Sequence, residues 1–76
     1  MVVAYILVKA STGEAERVRD ELAAVEGVED VHIVAGDVDF IARVSVENPA
    51  AVRQIAATGF QGIAGVADTE TYIAME

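Results

Sequence analysis

The order of apolar patterns along this chain, β-α-β-β-α-β, predicts an α+β fold. The expected form is a ferredoxin-like sandwich, a four-stranded antiparallel sheet with two helices on one face. Three observations carry that expectation. Strand-like apolar runs are interleaved with two helical stripes. The halves echo one another, Gly27-Val28-Glu29-Asp30-Val31 resembling Gly65-Val66-Ala67-Asp68-Thr69 at a spacing of 38 residues. The length of 76 residues is that of one domain, spanning 1–76.

Each element has a local reason. Residues 2–9, VVAYILVK, are apolar on both alternating faces, which predicts a strand covered on both sides. Ser11 and Glu14 fit a capping box at a helix start. Ala15, Val18, Leu22 and Val25 then recur at helical spacing, with Arg17 and Glu21 as i,i+4 neighbours on the wet side. Gly27 is a natural helix stop. Residues 31–35 and 40–46 read as strands two and three, joined as a hairpin across Gly36-Asp37-Val38-Asp39. Phe40, Ala42, Val44 and Val46 share one face; Ile41, Arg43 and Ser45 share the other. Asn48-Pro49 opens the second helix with a cap and a proline at its first turn. Val52, Ile55 and Ala56 form its apolar stripe, and Gly59 ends or loosens it. GFQGIAG connects to a fourth strand over 69–75.

Composition narrows the partners. The chain carries 13 acids against five bases, a net charge of −8, and Lys9 is its one lysine. Phosphate backbones and anionic membranes need clustered Lys and Arg, so neither is an expected partner. Cysteine is absent, which excludes disulfides, thiolate catalysis and Cys-based zinc sites. The apolar start VVAYILV is too short for a signal peptide, and no apolar run reaches the roughly 18 residues of a membrane span. A cytoplasmic location is expected. A hydrophobic fraction of 54% is high for so small a sphere. The helix-free face of the sheet would be apolar, so two copies pairing sheet to sheet is the expected remedy.

Few residues invite chemistry. His32 is the single histidine and has no second His or Cys for a metal, so a structural or partly buried histidine is expected. Asp37 and Asp39 are a thin donor set for calcium, which takes six or more oxygens. No metal or cofactor is implied. GFQGIAG precedes a strand instead of opening a helix and so is not a phosphate loop. Asp37 reads as surface charge at the hairpin tip. Asp39 has two readings: a turn-capping residue, or a carboxylate awaiting a cation such as a ligand ammonium. Thr69 and Thr71 are either ordinary strand residues or the wall of a pocket.

Two motifs carry a family resemblance. GV-x-x-V-x-x-V-x-G-x-x-D-F from Gly27 to Phe40 and GV-x-x-T-x-T from Gly65 to Thr71, in that order, resemble the Lrp/AsnC ligand-binding (RAM) domain. The resemblance covers residues 2–75. It implies the same sandwich, dimers formed through the sheets, and rings such as octamers. It also implies a free amino acid or related metabolite held between dimers. Carried over, Gly36 offers backbone near the ligand carboxylate, and Asp39 accepts from its ammonium. Val38 stands where many relatives have an aromatic, and Thr69 and Thr71 line the side-chain end from a neighbouring subunit. The chain starts at the first strand, so it resembles the stand-alone subgroup lacking the helix-turn-helix. Such a module, not an enzyme, would tune full-length Lrp/AsnC regulators by co-assembly. Two rival readings are a small dimeric enzyme using His32 or Asp39, and a purely structural assembly module.

The acidic, lysine-poor composition also fits a high-salt interior, where ions screen self-repulsion. Melting temperature is therefore expected to rise between dilute buffer and roughly 1 M NaCl, where the screening length falls to about 3 Å. Melting that ignores salt would remove the high-salt reading.

Overall fold

The computed structural model describes residues 1–75. Its elements run β1 (Val2–Ala10), α1 (Ala15–Ala23), β2 (Val28–Ile33), β3 (Phe40–Val46), α2 (Pro49–Gln54) and β4 (Val66–Ile73). A π-helical segment, Ile55–Phe60, continues directly from α2. The sheet order is β2-β3-β1-β4, with every neighbouring pair antiparallel. This is the ferredoxin-like α+β sandwich expected from the sequence.

The core follows from alternation in the two central strands. Ala4, Ile6 and Val8 of β1 and Phe40, Ala42 and Val44 of β3 are fully buried beneath the helices. Val18 and Leu22 of α1, Val52 of α2 and Phe60 of the π segment complete the layer. Each large side chain here contributes about 1.5–3 kcal/mol by leaving water. The opposite sheet face has no helix over it. Val3, Leu7 and Ile41 are half-buried there, while Tyr5 and Tyr72, cross-strand partners, are 41% and 54% exposed.

Some boundaries differ from the sequence reading. The capping box does not form: α1 begins at Ala15 with Glu14 at its N-cap, and no side chain caps it. The cause lies upstream. The Ser11 main chain continues the sheet ladder, its N–H donating to the Gly65 carbonyl at 2.8 Å. Thr12 Oγ1 takes the Glu14 N–H instead, at 3.2 Å. Glu14 and Glu21 both bond the Arg17 guanidinium, and these bonds, Glu21's first, raise its pKa above the ordinary arginine value. Asn48 does cap α2, its Oδ1 accepting from Ala51 N–H at 2.9 Å. The helix does not stop at Gly59; it widens, with Gln61 N–H reaching the Ala56 carbonyl at 3.2 Å in the i→i−5 pattern. His32 is not partly buried: its side chain is 71% exposed on the open sheet face, 3.5 Å from Asp30 Oδ1.

Strands β2 and β4 both start three residues before their expected positions, and for the same reason. Gly27 at φ 98° and Gly65 at φ 99° turn the chain, and Val28 and Val66 begin pairing at once. The sequence echo is thus a repeated turn. At Gly65 a Cβ would lie 2.7 Å from Thr12 Cγ2. Gly65→Ala is therefore expected to cost about 1–3 kcal/mol in chemical denaturation. Gly13→Ala, where a Cβ would meet nothing within 4 Å, should cost far less and serves as the control.

Candidate functional site

The hairpin residues Gly36, Val38 and Asp39 lie together between β2 and β3. The loop is closed by Val34 N–H donating to the Asp39 carbonyl at 2.9 Å. Asp39 is also tied to β1 twice. Its N–H donates to the Val8 carbonyl at 2.9 Å, and its Oδ2 accepts from Ala10 N–H at 2.8 Å. The carboxylate therefore latches the end of β1 to the start of β3. Among the described residues, the other oxygen, Oδ1, accepts no hydrogen bond, and the residue is exposed. Gly36 is exposed, and a Cβ there would meet nothing within 4 Å. No part of the same chain requires that glycine for space; any close approach there would come from outside. Val38 is half-buried beside it, and Asp37 is exposed at the tip.

Thr69 and Thr71 lie elsewhere. They pair with Val8 and Ile6, so they share the helix side of the sheet with those residues. Because β4 is an edge strand, the two threonines border an open groove of about 930 Å³ between β4 and the rod formed by α2 and the π segment. Gln61 Nε2 donates to Thr69 Oγ1 at 3.1 Å. Val8 pairs with Phe40 on one side and Thr69 on the other. Two strand spacings, about 10 Å, hence separate the start of β3 from Thr69. One chain does not bring the two halves of the expected site together, and neither Gly36 nor Asp39 lines the groove. A second groove, of about 710 Å³, lies by Met1, Gly27, Asn48 and Ile55 and also excludes them. His32 lines neither groove.

Sequence reasoning missed Arg53, Gln54 and Gln61, which line the groove with the threonines. A signal was present. Arg17 has Glu14 and Glu21 at helical spacing and Arg19 has Glu16, whereas Arg53 has only Pro49, Ala50, Ala56 and Ala57.

A four-stranded sheet with one covered face, one open face, an exposed carboxylate hairpin and an edge groove defines a ferredoxin-like α+β domain. Comparison with known proteins makes the class specific. The Lrp/AsnC ligand binding domain model matches residues 3–76, and the chain belongs to that family. The leucine-responsive regulatory protein of Haemophilus influenzae is 30% identical over 76 residues, all of this chain and 46% of that protein. The chain thus spans about half the length of the curated relatives it matches. A Thermus thermophilus protein shares the fold at TM-score 0.93 and 24% identity, covering 100% of this chain and 95% of that one. A Neisseria meningitidis transcriptional regulator, solved as an L-Met complex, has TM-score 0.85 at 14% identity, over 99% of this chain and 50% of that one. No helix among the described residues is long and apolar enough to cross a membrane.

The latch has a measurable weight. Asp39→Ala is expected to cost about 1 kcal/mol in denaturation, the net value of one hydrogen bond, and to speed hydrogen exchange at Ala10 N–H. Asp39→Asn keeps an acceptor oxygen and should retain most of that stability. Equal stability of Asp39→Ala and wild type would show that the bond contributes nothing.

Proposed function

We propose that this domain is an amino-acid-sensing and oligomerisation module of the Lrp/AsnC type. The observation that carries the reading is the family match over residues 3–76, which includes both the hairpin and the β4 threonines. The Neisseria regulator, of the same fold and solved with L-Met, supports an amino acid as the ligand class.

The geometry fits this reading if the site is completed between copies. An α-amino acid presents a cation and an anion about one residue apart. Asp39 has one uncommitted oxygen for the ammonium, and the exposed backbone at Gly36 is open to the carboxylate. Val38 borders the ligand, and Thr69 and Thr71 come from a neighbouring protomer. The open sheet face, with Val3, Tyr5, Leu7, Ile41 and Tyr72, supplies the surface on which two copies pair. Dimers then assemble into a ring such as an octamer. Through the same face the domain co-assembles with full-length Lrp/AsnC regulators. Ligand shifts the assembly only by binding one arrangement more tightly than another.

Titration calorimetry across the common amino acids, run beside light scattering, tests this. At least one amino acid should give heat and change the assembly mass. Asp39→Asn, which keeps the latch but loses the charge, should weaken that ligand about tenfold or more. No heat from any amino acid would overturn the sensing reading. An unchanged ring in the presence of a bound amino acid would overturn the assembly shift.

A further inference from the structure

The groove beside β4 has a charge pattern unlike the rest of the molecule. Thirteen acids outnumber five bases, and three arginines face carboxylates: Arg17 faces Glu14 and Glu21, Arg19 faces Asp20, and Arg43 faces Glu29 and Asp30. Arg53, in the last turn of α2, makes no ion pair among the described residues. It lines the groove, and no described Asp or Glu does. In a chain this acidic, a groove lined by no described acid and holding the one arginine unpaired among the described residues is a local reversal of sign.

Several other polar groups at the groove offer donors, beside the amide oxygens of Gln54 and Gln61 and the outward Thr71 carbonyl. Thr69 Oγ1 accepts from Gln61 Nε2, so its own O–H is left to seek a further acceptor. The Thr71 hydroxyl lies on the same side of the strand, toward the groove. Main-chain register adds one more. Ala74 N–H donates to the Val3 carbonyl at 2.9 Å, so alternation makes Tyr5–Tyr72 and Leu7–Glu70 the bonded pairs. The Thr71 N–H between them therefore points out of the sheet edge. The equivalent N–H of Thr69 is already held by Asp68 Oδ1 at 2.9 Å. A guanidinium, two hydroxyls and an open N–H thus gather in a groove that no described Asp or Glu lines, the nearest carboxylate along the edge, Asp68, being engaged with the Thr69 N–H.

We propose that this groove binds a carboxylate through Arg53, and that it makes the domain selective for acidic amino acids, glutamate or aspartate. The selectivity rests on the sensing reading above. The planar guanidinium matches a carboxylate in a two-bond fork, and the threonine hydroxyls complete the acceptor's shell. In this arrangement Asp39 of one protomer holds the ligand's ammonium while Arg53 of the neighbour takes its side-chain carboxylate. A neutral amide such as glutamine leaves the guanidinium unmatched.

Calorimetry with glutamate, glutamine, leucine and glutarate, on wild type, Arg53→Gln and Arg53→Lys, tests the proposal. Arg53 is exposed on a short helix, and matched thermal melts confirm that the variants fold. Wild type should bind glutamate at least about tenfold tighter than glutamine. Arg53→Gln should erase that preference, and Arg53→Lys should retain part of it. Glutarate, which lacks the ammonium, should bind wild type weakly and Arg53→Gln not at all. Glutamine or leucine binding as tightly as glutamate would overturn the acidic selectivity and leave the sensing reading standing. Arg53-dependent binding of glutarate with no amino acid bound would support the groove and overturn the sensing reading. No binding of glutamate or glutarate would overturn the groove itself.

Discussion

β1 is bonded along both edges and packed on one face, and each tie fixes a different part of the molecule. Its helix-side residues, Ala4, Ile6 and Val8, are fully buried under both helices. One edge sets the register of β3 and the other that of β4. At its C-terminal end, Ala10 N–H holds the Asp39 carboxylate and Ser11 N–H holds the Gly65 carbonyl. Two turns far apart in sequence are thereby placed by two consecutive backbone donors. A strand used this completely must be apolar on the covered face and regular up to the register shift at Lys9/Ala10, which is why VVAYILVK contains no glycine, proline or acid.

The same strand governs the relation between the two halves of the candidate site. Asp39 bonds to β1 from the β3 side, while Thr69 and Thr71 pair with it from the β4 side. Within one protomer β1 is an apolar partition between them, so a ligand touching both sets needs two protomers. In the sensing arrangement proposed above, a second protomer is what would complete the site. The one-sided sheet points the same way: two helices cover one face, and Tyr5, Tyr72, Leu7 and Ile41 remain on the other. Association removes that apolar surface from water and can bring one copy's hairpin to another copy's edge strand.

Much of this was legible in the residues, and the failures have physical causes. The β3 limits, 40–46, were read correctly because alternation there is clean and both faces are defined. The cap at Asn48 was legible because capping is local. The capping box at Ser11 and Glu14 failed because a partner 54 residues away, Gly65, competes for Ser11. The Asp39 latch was hidden for the same reason: its partner is a main-chain N–H, which no side-chain pattern reveals. His32 was misplaced because a lone polar residue in an apolar strand does not say which face is covered. Gly59 marked where the second helix ends or loosens, but not that it continues as a π segment, since widening a helical turn to bury Phe60 is a tertiary decision.

Charge placement ties these features together. On α1 the arginines sit among acids, and on the open sheet face Arg43 bridges Glu29 and Asp30 at the β2 edge. These pairs are exposed to solvent, and each contributes little to stability. Their larger effect is to neutralise the surfaces where they sit. Arg53 stands apart because α2 is built from alanine, valine and proline around it. Those small residues keep the groove wide, and no described acid lines it to answer the positive charge. An anion approaching a molecule of charge −8 meets repulsion from most directions. The edge groove, lined by Arg53 and by no described acid, is a local exception to that repulsion, and the proposed carboxylate site rests on this contrast.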